Sequence, residues 1–431
     1  MRYIGRIILL VLCLTLLLLT CCMINTVKPE TAIADTEEPI IVDPEDPEMV
    51  YPQKWATGTG TASNPWANGC IESAAAACPT GGTIYLRAGY YQMADKIWMT
   101  RRINIIGEGI GNTIVLTAEN HGFYLDTVSY VTIRGLTIDG DAQETDGETY
   151  RSCIAINDCT HLLIRDVETK NSARYGIDFD DGNYCVFQNI YSHDNYRHNL
   201  HPMANGRGWN MYNTYRDIYS WNSGSSGIDD VGSEDYPDED CYNVYENIQS
   251  WDCGSYGIHI SRQHNGIISN SSFSGNGGAG VFLYDVGDFN VNNCTMTDNT
   301  DGIIVRVGDN VNIDNCSTSL NEKNGMYIEA INNINITNVI VKNNNVSDTD
   351  RSGIYIEDCS DIAFTACQSY DDRGTPLQLY GIELYETNTG ISLSNCKLSP
   401  NATGEIYNPN VAVLTVITEK REFTPSVIVR E

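Results

Sequence analysis

Glycine followed by an apolar residue recurs along most of this 431-residue chain, at intervals of 22 to 31 positions. Nine segments carry the glycine, at positions 122, 176, 227, 257, 280, 302, 325, 353 and 381, and Cys153 and Asn199 occupy the equivalent position in two more. Several successive intervals are 22 or 23 residues. This period predicts a solenoid, in which each repeat forms one turn of a coil and buries its apolar face against its neighbours. Corresponding residues of successive turns should then stack in columns.

The residues around each glycine predict short strands. Each turn holds a Gly-Ile-x-apolar strand and a second short strand, such as VNNCTMTDN at 291–299. Three short strands per turn, with β-branched residues inside, predict an all-β fold: a single-stranded right-handed parallel β-helix of about 11–12 turns over residues 55–412. The segment WANGCIESAAAAC at 66–78 predicts a helix that caps the N-terminal end, where strand edges would otherwise be exposed. Residues 413–431 alternate like strands and are expected to finish or cover the other end.

The N-terminus has the pattern of an export signal. A positively charged start precedes an apolar run from Ile7 to Ile24, and residues 32–34 (AIA) offer a small-residue cleavage site. Residues 1–34 are therefore expected to be a signal peptide, or a membrane anchor if the apolar run at 7–24 is retained. Residues 35–54 are acidic and rich in proline, which predicts a linker. We expect the protein to be secreted or held at the cell surface.

The charge of the chain restricts its partners. Asp and Glu total 56 against 26 Lys and Arg, so the formal net charge is −30. This excludes nucleic acid as a partner, because binding phosphates needs a basic surface. An anionic polysaccharide could bind only through a local basic cluster or through bridging cations, and Ca²⁺ is the cofactor that a carboxylate-rich surface favours. We expect a monomer.

One outward column carries titratable residues. Alternation along each Gly-Ile strand places the first and third residues after the glycine inside the coil, and the second and fourth outside. The second position holds Asp178, His201, Asp229 and His259 in consecutive turns. Two of these turns break the apolar inward pattern, with Pro202 in one and Asp230 in the other; such local rules tend to fail at functional sites. The four residues should form a ladder with about 4.8 Å between turns.

Flanking residues complete the predicted site. The candidate catalytic residues are His201, Asp178, Asp229, His259, His198 and Arg197. The candidate metal ligands are Asp180, beside Asp178, and Asp230. The candidate substrate-binding residues are nearby cations and the aromatic residues of the outer columns: Arg207, Arg262, Phe282, Tyr284 and Tyr327. These aromatic residues either stack on sugar rings or pack beneath the C-terminal tail.

The stretch ASNPWANGCIESAAAACPTGGTIYLRAGYY, followed by repeated YGI, SGI and DGI strands, resembles the pectate-lyase-like superfamily of right-handed parallel β-helices. That superfamily includes polysaccharide lyases, mannuronan C5-epimerases and polygalacturonase-type hydrolases. The stretch YGIDFDDGNYCVFQNIYSHDNYRHNL looks like catalytic-face turns of the C5-epimerases, with Arg197-His198 matching an Arg-His pair there. GIDD at 227–230 and GIHIS at 257–261 are similar to the paired Asp and the following His turn of polygalacturonases.

The resemblance implies an enzyme that acts on a uronic-acid polysaccharide by β-elimination or C5-epimerisation. In that interpretation His201 or His198 is the base, and Asp178, Asp180 and Asp229 are cation ligands. A polygalacturonase-like hydrolase is the alternative enzyme. A non-catalytic carbohydrate-binding protein or adhesin at the cell surface is the alternative outside catalysis, because a fold alone does not decide function. The sequence leaves the sugar and the bond open.

Overall fold

The computed structural model describes residues 49–428, apart from 62, 65, 68, 118–120, 141–150, 205–209, 234–240, 348–349, 410–413 and 418–426. The predicted signal or anchor at 1–34 and most of the predicted linker lie outside the described residues. Within the described part, no helix is both long enough and apolar enough to cross a membrane.

Nearly every described element is a short parallel strand, and the helical elements are a 3₁₀ turn at Pro52–Trp55 and one α-helix, α1 (Cys70–Ala77). The first strands are β1 (Met49–Val50), β2 (Thr83–Leu86), β3 (Gly89–Gln92), β4 (Ile97–Met99), β5 (Asn104–Gly107), β6 (Thr113–Leu116), β7 (Phe123–Asp126), β8 (Thr132–Asp139), β9 (Ser152–Asn157), β10 (Leu163–Lys170), β11 (Tyr175–Asp180) and β12 (Val186–His193). The middle strands are β13 (Leu200–Met203), β14 (Thr214–Trp221), β15 (Ile228–Val231), β16 (Val244–Trp251), β17 (Ile258–His264), β18 (Ile267–Ser269), β19 (Ser272–Ser274), β20 (Ala279–Gly287), β21 (Asn290–Asn292), β22 (Thr295–Thr297) and β23 (Asp301–Asp314). The last are β24 (Ser317–Ser319), β25 (Met326–Thr337), β26 (Ile340–Lys342), β27 (Ile354–Glu357), β28 (Ser360–Thr365), β29 (Gln368–Tyr370), β30 (Tyr380–Tyr385), β31 (Ile391–Ser394), β32 (Gly404–Tyr407), β33 (Leu414–Ile417) and β34 (Val427–Ile428).

The strands stack into three parallel faces of a right-handed coil. One face, here called the site face, runs β4, β7, β9, β11, β13, β15, β17, β20, β23, β25, β27, β30, β32 and β34, each strand pairing with the next. Strands β10, β12, β14 and β16 each span the other two faces by bending at a residue with positive φ: Asp166, Asn189, Asp217 and Asn247. Asp and Asn tolerate this left-handed conformation best among residues other than glycine.

The predicted alternation is confirmed on the site face. The first and third residues after each repeat position are buried apolar side chains in most turns, for example Ile258 with Ile260 and Ile303 with Val305. They fill the interior of the coil. Burying each such side chain contributes about 1.5–3 kcal/mol, so this repeated column holds the turns together and fixes which residues face outward.

The interior also contains a ladder of asparagines at one corner. The side-chain amide of Asn276 donates to Oδ1 of Asn299 at 2.8 Å, and that of Asn321 donates to Oδ1 of Asn344 at 2.8 Å. All four are buried. Asparagine suits the position because it carries both a donor and an acceptor and can link the turn before to the turn after.

The two ends differ from the prediction in extent. The capping helix is present as α1, and β1 pairs with β2, so the last residues of the predicted linker belong to the coil. At the other end β33 and β34 pair in parallel with β31 and β32 and continue the coil. Because β4, β32 and β34 also join the site face, beyond the eleven repeats that the glycine pattern predicts, the coil is longer than the predicted 11–12 turns.

Candidate active site

The predicted column lies in register on the site face. Asp178 pairs with His201 in the next turn, and Asp229 pairs with His259. Strand β13 pairs with β15, which places His201 beside Asp229. The register prediction is therefore confirmed, and the four side chains form a continuous ladder across four turns.

His201 is held at Nδ1, and among the described residues its Nε2 is open. Its Nδ1 lies 3.1 Å from Oδ1 of Asp178, which assigns the proton of the neutral ring to Nδ1 as a donor to the carboxylate. Nε2 is then a lone-pair acceptor, and it lies 4.0 Å from Oδ2 of Asp229, beyond hydrogen-bond distance. The ring of Tyr175 covers one face of the imidazole, with centroids 4.2 Å apart and planes 9° from parallel. This is the arrangement of a general base whose orientation a carboxylate fixes.

His198 has both ring nitrogens engaged. Its Nδ1 accepts a hydrogen bond from the backbone N–H of Ser226 at 3.2 Å, and its Nε2 lies 3.2 Å from Oδ2 of Asp229. Burial lowers the pKa of His198 to about 4, so the ring is neutral near pH 7 and Nε2 carries the proton. The protonated Nε2 of His198 therefore lies against the carboxylate of Asp229, and the ring has no free lone pair for a substrate proton.

Asp229 is an anion clamped between two histidines. His259 Nδ1 lies 2.5 Å from Oδ1 of Asp229, opposite the contact from His198. Burial raises the pKa of Asp229, but the hydrogen bond from His259 and the nearby imidazoles of His198, His259 and His201 together outweigh burial and hold the pKa below the usual range. Phe282 stacks on His259 with ring centroids 4.9 Å apart. The clamp fixes a negative charge beside the open nitrogen of His201.

Within the described part of the chain, two sets of side chains have donor atoms close enough to hold a metal ion. They are Asp178, Asp180 and His201, and His198, His201 and Asp229, with all donor atoms of a set within 4.8 Å of one another. Oδ1 of Asp180 is buried and has no hydrogen-bond partner among the described residues. Burial, together with the charge of Asp178, raises the pKa of Asp180 to about 7. The Asp178–Asp180 pair thus fits a cation, whose charge would relieve this repulsion.

Asp230, the other predicted metal ligand, lies apart from the outward column. Its side chain is fully buried inside the coil. The amide of Asn210 donates to Oδ1 at 3.1 Å, and the Tyr245 hydroxyl and the Gln263 amide also donate to the carboxylate. Burial raises the pKa of Asp230 to about 7. The structure does not bring Asp180 and Asp230 together. Asp180 occupies the fourth, outward position after its repeat glycine, whereas Asp230 occupies the third position, which points into the coil.

An arginine–tyrosine group beside His201 was only partly predicted. Nη1 of Arg197, a predicted residue, donates to the hydroxyl of Tyr175 at 3.3 Å. The guanidinium of Arg174 lies 4.5 Å from the centroid of the same ring. Burial raises the pKa of Tyr175. The sequence signal that could have identified Tyr175 is its position directly before the repeat glycine. In a later turn the same position holds Tyr256, whose ring lies beside those of His259 and Phe282.

The predicted substrate-binding residues are spread along the face. Tyr284 is 38% exposed and its ring lies 6.3 Å from that of Phe282. Tyr327 lies further along, stacks on Tyr355 at 5.2 Å and donates to Glu329. Arg262 lies within β17, at a bend where its backbone φ is 54°. Arg207 lies outside the described residues.

A family model described as a right-handed β-helix region matches residues 239–398. The catalytic domain of a GH87 α-1,3-glucanase in complex with tetrasaccharides superposes with a TM-score of 0.59 at 13% identity, over 89% of this chain and 70% of that one. This chain is a right-handed parallel β-helix protein. The A-module of the Azotobacter vinelandii mannuronan C-5 epimerase AlgE6 superposes on this β-helix protein with a TM-score of 0.57 at 15% identity, over 86% of this chain and 100% of that one. The Dettilon tailspike protein follows, with a TM-score of 0.52 at 14% identity, over 84% and 68%. No curated protein matches the sequence. At these identities the likeness shows the fold alone.

Proposed function

We propose that this β-helix protein acts on an acidic polysaccharide and removes the proton from C5 of a uronate residue, leading to β-elimination or C5-epimerisation. The observation that carries the proposal is the Asp178–His201 pair, in which Nδ1 is held and Nε2 is open. An epimerase module that shares the fold supports the same reaction class.

The neighbouring cations suit the intermediate of this reaction. Loss of the C5 proton to Nε2 of His201 leaves an enediolate on the uronate carboxyl group, and fixed positive charge stabilises that anion. Arg197 and Arg174 both lie against the ring of Tyr175, directly beside His201. They are the residues that would bind the carboxylate and lower the barrier to proton loss.

Tyr175 is the residue suited to return a proton. Burial raises its pKa, so its hydroxyl stays protonated at neutral pH. In β-elimination the C4–O bond breaks, a C4–C5 double bond forms, and the departing oxygen takes the proton of the Tyr175 hydroxyl. In epimerisation the new proton must reach the opposite face of C5, so a group other than Tyr175, which stacks on the base His201, must supply it. Both outcomes use the same base and the same arginines.

Ca²⁺ remains our expected cofactor, and Asp178 and Asp180 are the residues that would hold it. Ca²⁺ takes six to eight oxygen ligands, so the sugar and water would supply the remainder. When bound, the ion supplies positive charge next to the uronate carboxylate. Chelation should then lower turnover, and added Ca²⁺ should restore it. Full activity after chelation would indicate that Arg174 and Arg197 alone neutralise the uronate carboxylate.

Hydrolysis by a polygalacturonase-like mechanism is the second candidate, and the acidities of two carboxyl groups favour it. The pKa of Asp180 is raised to about 7 by burial and by Asp178, whereas that of Asp229 is held below its usual range. An inverting hydrolase uses one protonated and one ionised carboxyl group on opposite sides of the glycosidic bond.

Product analysis separates these reactions. The full chain is incubated with alginate, pectate and neutral glycans, with and without Ca²⁺. A lyase yields an unsaturated end that absorbs in the ultraviolet, an epimerase changes the ratio of uronate epimers without cleaving the chain, and a hydrolase yields only new reducing ends. Binding without turnover would favour the carbohydrate-binding or adhesin alternative.

Variants of the histidines test the assignment of the base. His201→Gln should lower turnover by roughly 10²–10⁴-fold, the usual contribution of a general base. His198→Gln should have a smaller effect, because His198 only positions Asp229. His161→Gln is the control, since His161 stacks between Tyr130 and Tyr184. Full activity of His201→Gln would contradict the mechanism.

We also propose that the protein is secreted or held at the cell surface, where it would meet a polysaccharide outside the cytoplasm. Export through residues 1–34 and a monomeric state stay predictions.

A further inference from the structure

The outward column of the site continues past Asp178 toward the N-terminal end of the coil. Asp178 pairs with Ala155, Ala155 pairs with Tyr124, and Tyr124 pairs with Trp98. At about 4.8 Å per turn, Tyr124 lies about 10 Å and Trp98 about 14 Å from Asp178 along the coil. Ala155 carries only a methyl group, so no bulky side chain of this column separates Trp98 and Tyr124 from the active site.

Trp98 is an exposed indole held in a fixed orientation. It is 57% exposed, so the core does not require it. Its Nε1–H donates to Oδ2 of Asp126 at 3.3 Å, and Tyr124 packs against it at 75°, with ring centroids 5.8 Å apart. A rigid aromatic surface beside a groove can pack against the apolar face of a sugar ring at little cost in conformational entropy.

Lys96 adds a positive charge at the same place. Its ammonium group lies 4.9 Å from the centroid of Trp98 and 5.1 Å from that of Tyr124. No acidic side chain of the described residues forms an ion pair with it. In a chain with a net charge of −30, a lysine directed at aromatic rings and not at a carboxylate is available to an anionic ligand.

A cavity of about 260 Å³ adjoins these side chains, between α1 and β4. Glu72 and Ala75 line it from the helix, and Lys96 and Trp98 line it from the strand. Arg101 fixes the helix end by donating to the Ala75 carbonyl at 2.6 Å. The volume is below the 300–1,000 Å³ of pockets that enclose whole ligands, which suits one residue of a longer chain.

We infer that Lys96, Trp98 and Tyr124 form a distal subsite that binds a uronate residue of the polysaccharide chain whose reacting residue lies at His201. The inference rests on the proposed function for the identity of the sugar. The indole packs against the sugar ring, Lys96 pairs with its carboxylate, and the cavity receives the edge of the ring. The subsite lies two to three turns from the base, so only oligomers long enough to span those turns reach it.

Binding measured without turnover tests this subsite. In the His201→Gln background, the affinities for polymannuronate, polygalacturonate, their length-defined oligomers and neutral dextran are measured by calorimetry. Trp98→Ala and Lys96→Met should each raise the Kd for a long oligouronate about tenfold, the equivalent of 1.4 kcal/mol. The Kd for a disaccharide should change by less than about twofold. Tyr130→Ala, at another exposed ring (61% exposed), is the matched control and should change neither value.

The outcomes separate the subsite from the reaction. The subsite is overturned if long oligouronates bind Trp98→Ala and Lys96→Met as tightly as they bind the control, even if the unmodified protein turns uronates over. A tenfold loss of binding in these variants, together with no turnover of uronates by the unmodified protein, supports the subsite and overturns the proposed reaction. Failure to bind any polyuronate, or equal binding of dextran, overturns both. Thermal unfolding of each variant confirms that the fold is intact.

Discussion

Replacing Asp230 with asparagine should flatten the dependence of stability on pH. Asp230 is fully buried, and burial raises the pKa of its carboxyl group from 3.8 to about 7. A carboxyl group with a raised pKa stabilises the fold while it is protonated. That contribution is complete below pH 3.8 and is lost as the pH rises toward 7, by about 1.4 kcal/mol per pH unit. Between pH 4 and pH 8 the free energy of unfolding should therefore fall by about 4 kcal/mol more in the unmodified protein than in Asp230→Asn.

Asparagine is the appropriate replacement because it keeps the hydrogen bonds of the site. Its oxygen can accept from Asn210 and Gln263, and the Tyr245 hydroxyl can turn toward Oε1 of Gln263, which lies 3.3 Å away. Asp230→Ala instead leaves buried donors without an acceptor, at roughly 1–3 kcal/mol each. The alanine variant should therefore be less stable than the asparagine variant at every pH.

The assay is urea unfolding followed by circular dichroism, in steps from pH 4 to pH 8, for both variants and the unmodified chain. The difference between the pH profiles isolates Asp230 from the other titrating groups. Parallel profiles for the unmodified chain and Asp230→Asn would refute the reasoning, since the pKa in the fold would then equal that in the unfolded chain. Loss of Ca²⁺ binding in Asp230→Asn would instead identify Asp230 as the metal ligand that the sequence predicts.

Two further predictions concern stability. Asn299→Ala should lower the free energy of unfolding by roughly 3 kcal/mol, because Oδ1 of Asn299 accepts from both the backbone and the side chain of Asn276 inside the coil; Asn335→Ala, in the exposed ladder in which Asn335 donates to Asn312, should cost less than about 0.5 kcal/mol, and equal losses in urea unfolding would count against the buried ladder. Glu168→Gln should lower the free energy of unfolding at neutral pH and make it less sensitive to acid: the hydrogen bond from His193 lowers the pKa of Glu168 to about 2, so its contribution of about 1 kcal/mol after solvent screening is present above pH 4.5 in the unmodified protein and is lost as the pH falls toward 2. An unchanged profile of stability between pH 5 and pH 2 would show that this contact does not stabilise the fold.

The repeat was enough to predict which residues stack. Counting from each glycine places Asp178, His201 and Asp229 at the same position of successive turns, and the strand pairing agrees. Counting could not find Trp98, because its turn precedes Gly122, the first glycine of the repeat. Tyr175 precedes the glycine and fell outside the positions that were counted.

The sequence by itself determined the coil and its columns, because a buried apolar stripe that recurs with a fixed period can be covered only by the next turn. It also marked Asp230 as an exception to that stripe. Only the tertiary structure decided that Asp230 lies among buried donors, and that His201 has an open nitrogen while His198 has none. The difference depends on single contacts with Asp178 and Ser226, which come from neighbouring turns 23 and 28 residues away in the chain. Such contacts depend on where the backbone of one turn places its N–H and carboxylate groups against the next, and the order of residue types does not specify that.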